Sequence, residues 1–128
     1  MTTQETIEAF IAAINAHDAA AIVALCTPDH RFIDAHGAEL KPAELEAGWR
    51  GYFAFMPGYG IKAETMLCDG GTAAVFGAAW GSLDHEGARA WRRPCAWRAE
   101  LREGKVALWQ VYIDTKVVFD LLAKKTSF

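Results

Sequence analysis

A chain of 128 residues with 52% apolar and 23% charged side chains has room for one domain, residues 1–128, built on one core, and is too hydrophobic to be disordered. A net charge of −3 gives no basic track for nucleic acid; Arg89, Arg92, Arg93, Arg98 and Arg102 alternate along one strand-like run and cannot share a face. No apolar stretch reaches the roughly 20 residues of a membrane span, and Met1 to Glu5 carries no secretory pattern. Cys26, Cys68 and Cys95 are widely spaced with no C-x-x-C pair, which implies reduced thiols and a cytoplasmic protein.

Thr2 and Glu5 have capping-box spacing, and Ile7, Phe10, Ile11 and Ile14 then fall on one helical face. His17-Asp18 breaks this helix, with Asp18 placed to cap a short second one carrying Ile22 and Leu25. Thr27-Pro28-Asp29 should end it, leaving His30 to Asp34 as a short strand before a loop at Gly37. Pro42 suits the first position of a third helix bearing Leu45, Trp49, Tyr52, Phe53 and Met56, which Pro57-Gly58 stops. Four strand-like runs follow, roughly Tyr59–Cys68, Thr72–Leu83, Ala88–Arg102 and Lys105–Lys116. They are separated by turn signals at Asp69-Gly70-Gly71, Asp84 to Gly87 and Glu103-Gly104. Helices first and strands after is the α+β pattern. The tail from Val117 to Lys125 fits either a strand extension or a short amphipathic helix.

A two-residue turn at Glu103-Gly104 pairs Arg102 with Lys105 and, without a bulge, Ala96 with Val111. Pro94, Ala96 and Arg98 then share a face with Trp109, Val111 and Ile113, while Arg93, Cys95 and Trp97 join Gln110, Tyr112 and Asp114 on the other. Both faces carry Trp, so helices should cover one and a second copy of the chain the other, with Arg93 close to Asp114. The outward group of Trp97, Tyr112, Cys95 and Trp91 reads as a homodimer interface.

The segment Phe10 to Gly37, with Ala16-His17-Asp18, Ile22-Val23-Ala24-Leu25 and Phe32-Ile33-Asp34-Ala35-His36-Gly37, resembles the opening of ketosteroid isomerases and SnoaL-like polyketide cyclases. The segment Gly104-Lys105-Val106 through Trp109-Gln110-Val111-Tyr112-Ile113-Asp114 resembles the last strand of the SnoaL-like and limonene epoxide hydrolase-like families. Helix order, turn positions and length agree over nearly the whole chain with the nuclear transport factor 2-like superfamily. The resemblance implies a cone of three N-terminal helices on a curved antiparallel sheet, enclosing one apolar pocket. The isomerase pattern puts a general base at Asp34 and oxyanion donors at Phe10 and Ala96. Neither can donate, and losing one such donor costs about 10²–10³ in rate, so a ketosteroid isomerase is excluded. The epoxide hydrolase network falls on Ala78, Trp80 and Val111, with Phe32 and Asp34 at its water-holding positions, and only Asp34 is polar. The SnoaL-like base falls at Asp114, which the register turns outward.

Asp34 is the leading catalytic candidate. His30, Phe32, Asp34 and His36 alternate onto one face, and a carboxylate among aromatic rings is poorly solvated and ready to accept a proton. The competing reading is a loop cap before Gly37. His36 and Tyr52 are candidate proton-transfer partners, while His17 and His85 should face solvent. His30, Asp34 and His36 have metal-ligand chemistry, but parallel side chains on one strand do not converge, so no metal and no cofactor is expected. Phe10, Phe32, Trp49, Trp80, Ala96, Trp109, Val111 and Ile113 are the expected pocket wall, although such a group also suits a plain core. The expected function is an isomerase, cyclase or dehydratase acting on an apolar carbonyl compound. The alternatives are a non-catalytic module for an apolar ligand and a dimeric association domain.

Overall fold

The computed structural model describes residues 1–85 and 89–126. The expected capping box opens α1 (Thr3–Asn15), with Thr2 Oγ1 accepting from Glu5 N and the Glu5 carboxylate accepting from Thr2 N. Ile7, Phe10, Ile11 and Ile14 are buried along one side of it. Asp18 caps α2 (Ala19–Ala24) by accepting from Ala21 N. His17, in the left-handed region at φ 55, does not face solvent. Its ring stacks on Phe53 at 4.3 Å and its Nε2 donates to the Tyr59 carbonyl at 2.7 Å. His85 is exposed, and Glu86-Gly87 of the predicted Asp84–Gly87 turn and the predicted strand start at Ala88 lie outside the described residues.

Thr27-Pro28-Asp29 is not a break; it lies inside β1 (Cys26–Ile33). Proline is tolerated there because the pairing of β1 is irregular between Cys26 and Arg31, where no ladder N–H is required. A two-residue β2 (Glu39–Leu40) and a 3₁₀ turn (Pro42–Glu44) precede α3 (Leu45–Phe55). The meander follows as β3 (Gly60–Asp69), β4 (Thr72–Ser82), β5 (Ala90–Arg102) and β6 (Lys105–Ile113). The ambiguous tail is helical, as α4 (Lys116–Thr126).

One open six-stranded sheet results, in the order β2-β1-β6-β5-β4-β3. It is α+β as expected, but it contains one parallel pair, β1 with β6. β1 comes from the helical half and joins the free edge of β6 through no tight turn, so nothing forces it antiparallel. At the β3 bulge near Glu64, Gly77 faces the Lys62 carbonyl, and a Cβ would run into that oxygen.

The turn at Glu103-Gly104 forms as expected, with Arg102 opposite Lys105. Two pairs on, however, the register shifts: Leu101 faces Val106 and Glu100 faces Leu108, leaving Ala107 as an extra residue. Every later β5 residue therefore meets a partner one position further along, with Cys95 opposite Ile113, Trp97 opposite Val111 and Ala96 opposite Tyr112. This reverses the expected faces of β5. Trp97 and Cys95 point inward with Val111 and Ile113, while Ala96 points outward with Tyr112. Trp91 is also buried, so Tyr112 alone of the expected outward group is exposed. Arg93 lies opposite Ala79 and forms no ion pair with Asp114.

The core fills the space between α1–α3 and the inner sheet face. Trp97 and Trp109 stack at 5.9 Å, and Phe10 packs on Trp109 at 4.9 Å. Aromatic side chains of this size bury 150–250 Å² each, worth about 4–6 kcal/mol before ordering costs. His30 sits within this layer, fully buried, with Nδ1 donating to the Val106 carbonyl at 2.7 Å and Nε2 without a partner. Burial pushes its pKa below the ordinary 6.5, partly opposed by the Val106 bond.

That shift has a stability consequence. Below about pH 6.5 the unfolded chain takes up a proton that the native ring refuses, so stability falls with pH at up to about 1.4 kcal/mol per unit. Urea midpoints measured from pH 7.5 down to 5.5 should fall in the wild type. The slope should be shallower in His30→Asn, whose amide keeps a donor and cannot charge. Equal slopes would show that the native ring protonates in place.

Candidate functional site

Phe32, next to last in β1, faces inward, paired across the sheet with Trp109, and Asp34 follows where the strand stops at Ile33. The Asp34 Oδ1 accepts from His36 N at 2.8 Å and Ala38 N at 3.0 Å, and Gly37 completes the turn at φ 86. A non-glycine residue would be strained there. Asp34 is thus a loop cap and a half-buried wall residue at once, and both bonds fall on one oxygen. Oδ2 has no hydrogen-bond partner among the described residues.

Asp34 belongs to the wall of a cavity of about 430 Å³. α3 contributes Trp49, Tyr52 and Phe55, and the sheet contributes Phe32, Ala79, Trp91, Cys95, Val111 and Ile113. α4 closes one side with Val118, Phe119 and Leu122. The exposed residues His36, Phe55 and Phe119 mark the mouth. The His36 Nε2 lies 3.3 Å from Thr115 Oγ1, and its ring stands edge-on to Phe119 at 5.5 Å, tying α4 to the turn after β1. Among the described residues no lysine or arginine lines the wall.

Of the residues expected here, Asp34, His36, Tyr52, Phe32, Trp49, Val111 and Ile113 meet at this cavity. Four do not. Phe10 and Trp109 are sealed in the core at 0% and 1% exposure, behind the wall. Ala96 is outward because of the Ala107 bulge, and it lines a groove with Phe76, Tyr112 and Asp114. Trp80 is also outward, where Arg92 lies 4.9 Å over its ring. Asp114 is exposed and accepts from Lys116 N at 3.0 Å, an Asx-type turn that leads into α4. His30 is turned into the core, away from Asp34 and His36, and among the described residues no three His, Cys, Asp or Glu side chains gather to hold a metal ion.

Tyr59, Cys95, Thr115 and Phe119 line the cavity without having been expected there. Cys95 was hidden by the bulge. Tyr59 follows Pro57-Gly58, where local pattern gives no facing. Burial pushes the Cys95 thiol up to about 12. It does the same to Tyr52, helped by Cys95, and holds Tyr59 well above the ordinary phenol value. At neutral pH these three groups are therefore uncharged donors. A carboxylate in the wall of an apolar chamber that also holds neutral donors has the groups to take a proton from carbon and steady the resulting oxyanion.

The family profile for the SnoaL-like domain matches residues 7–109. No curated protein matches the chain in sequence. Among solved structures, a protein of ketosteroid isomerase-like fold from Catenulispora acidiphila, crystallised with trimethylamine, superposes with a TM-score of 0.81 at 20% identity, covering 94% of this chain and 93% of its own. An NTF2-like protein from Burkholderia thailandensis gives 0.81 at 19% identity, covering 95% and 98%. An LEH-like epoxide hydrolase from M. tuberculosis gives 0.79 at 17%, covering 94% and 84%. Identities this low establish the shared fold, and the profile match over most of the chain establishes more: this protein belongs to the SnoaL-like domain family.

Proposed function

We propose that this protein is an acid–base enzyme of the isomerase, cyclase or dehydratase type, acting without a cofactor on an apolar carbonyl compound. The observation that carries this reading is Asp34 in the wall of an apolar cavity, with one carboxylate oxygen held by two backbone N–H groups and the other without a hydrogen-bond partner among the described residues. In such a site Asp34 removes a proton beside a carbonyl, and His36, hydrogen-bonded to Thr115 at the mouth, relays protons to water. The test is hydrogen–deuterium exchange at the α-carbon of small apolar ketones in D₂O, followed by NMR. Exchange catalysed by the wild type and lost in Asp34→Asn supports the reading. Ketones that raise the melting temperature without any catalysed exchange would instead mark a binding module. Three free thiols, one of them the exposed Cys68, fit the reducing cytoplasm.

We also infer that the outer sheet face meets a second copy of the chain. Phe76, Ala96 and Tyr112 form one row across β4, β5 and β6, with Leu67 beside it; Leu67, Phe76 and Tyr112 are 62%, 48% and 50% exposed. Lys62, Arg92 and Arg98 and the acids Glu64, Asp69 and Glu100 lie on and around the same face, a charged rim about an apolar centre. Sedimentation should give twice the 14.0 kDa chain mass, and Phe76→Glu should give the single mass with the fold intact. A wild type that sediments as one chain removes the inference.

A further inference from the structure

Each polar group in the cavity wall can be asked what it is bonded to. Asp34 Oδ1 is spent on the loop, and His36 and Thr115 are spent on each other. The Trp91 Nε1 donates to Met56 Sδ at 3.3 Å, and the Trp49 Nε1 is sealed in the wall, out of reach. Two O–H donors remain, Tyr52 and Tyr59. Neither hydroxyl is bonded to any described residue, and neither is sealed, so both are reachable from the cavity they line.

These phenols are braced rather than loose. Their rings meet edge to face at 4.9 Å and 86°, and Tyr59 leans on Trp91 at 6.4 Å. The Tyr59 backbone is pinned on both sides, its N–H donating to Met56 O at 3.0 Å and its carbonyl accepting from His17 Nε2 at 2.7 Å. His17 is in turn stacked on Phe53, so this histidine at the end of α1 serves to hold a cavity residue in place.

We propose that Tyr52 and Tyr59 together form the seat for a carbonyl oxygen, so that the cavity selects an apolar ketone and fixes which end of it enters. This rests on the reading of the cavity given above and adds to it the residue Tyr59 and the orientation of the ligand. A carbonyl oxygen has two lone pairs for two O–H donors. A hydrocarbon of the same shape would displace water and leave both donors unpaired, a penalty a site built from buried donors uses to discriminate. A carboxylate finds no lysine or arginine among the described residues of the wall to neutralise it. The chemistry balances: the α-hydrogen leaves as a proton to Asp34 Oδ2, its C–H pair becomes the C=C bond, and the carbonyl π pair moves onto the oxygen held by the phenols. Return of the same proton at another carbon completes an isomerisation with no oxidant or reductant.

The experiment compares α-tetralone with tetralin, the same bicyclic body without oxygen, on the wild type, Tyr52→Phe, Tyr59→Phe and the double variant, with melting curves confirming the fold. Binding is followed by calorimetry, and the carbonyl stretch of bound tetralone by infrared difference spectroscopy. Each single substitution should weaken tetralone about three- to tenfold while leaving tetralin unchanged or tighter. The stretch should lie below its value in hydrocarbon solvent in the wild type and return towards it in the double variant. Tetralone that binds the wild type and the double variant equally, with the same stretch, overturns the seat while leaving the apolar cavity standing. If neither compound binds the wild type, the cavity reading itself falls and takes this inference with it.

Discussion

Trp97→Ala should lower the stability of the domain by about 3–5 kcal/mol, the cost of a large-to-small change in a closed core. Trp97 is 2% exposed and stacked on Trp109, and neither ring has room to collapse into the space it would leave. Against a typical total of about 5–15 kcal/mol, this takes about a fifth or more of the fold's margin and should drop the melting temperature by roughly 10–20 °C. The neighbouring change Ala96→Ser provides the contrast. Ala96 lies on the outer face, outside the closed core, where a hydroxyl adds one small atom beside Phe76 and Tyr112, and the shift should stay within about 0.5 kcal/mol. Chemical denaturation of the two variants side by side tests the inward register of β5. If Ala96→Ser proves costly and Trp97→Ala mild, the bulge at Ala107 is not where the structure places it.

Asp34→Asn should lower turnover by about 10²–10⁴-fold, the usual contribution of a positioned general base. The substitution is informative because the asparagine carbonyl still accepts from His36 N and Ala38 N, so the turn and the cavity keep their shape. Only the free Oδ2 is lost, replaced by an amide that cannot take a proton. Ketone affinity and melting temperature should therefore stay close to those of the wild type. Asp34→Ala removes the cap as well. It should show the same loss of rate together with about 1–2 kcal/mol of stability. A loss of binding and rate together in Asp34→Asn would make Asp34 a shaping residue and leave the proton transfer to another group.

The local half of this structure is written plainly in the sequence. Thr2, Asp18 and Pro42 mark helix starts because capping depends on a few adjacent side chains, and the turn at Glu103-Gly104 forms because two residues suffice to reverse an antiparallel pair. Asp34 stood out for the same reason, as a short acid before a glycine at the end of an alternating strand. The departures come where one residue's placement depends on distant ones. Pro28 looked like a break but sits in β1 because the strand it meets, β6, lies nearly eighty residues away and leaves that position unpaired.

The facing of β5 is the clearest case. Side chains alternate with a period of two, so the one extra residue at Ala107 exchanges the buried and exposed sets of the partner strand. Nothing in the pattern around Ala107 announces it. Trp97 and Cys95 went to the core and Ala96 to the surface on the strength of packing that only the assembled sheet supplies. The same holds for the cavity. Sequence alone determined most of the elements and the family resemblance, and it set Asp34 just beyond an alternating strand. The tertiary structure decided which aromatic rings became core, Phe10 and Trp109, and which became wall, Phe32 and Trp49. It also decided that Tyr52 and Tyr59 keep their hydroxyls free, because a hydrogen bond is made or withheld by neighbours brought together from separate parts of the chain.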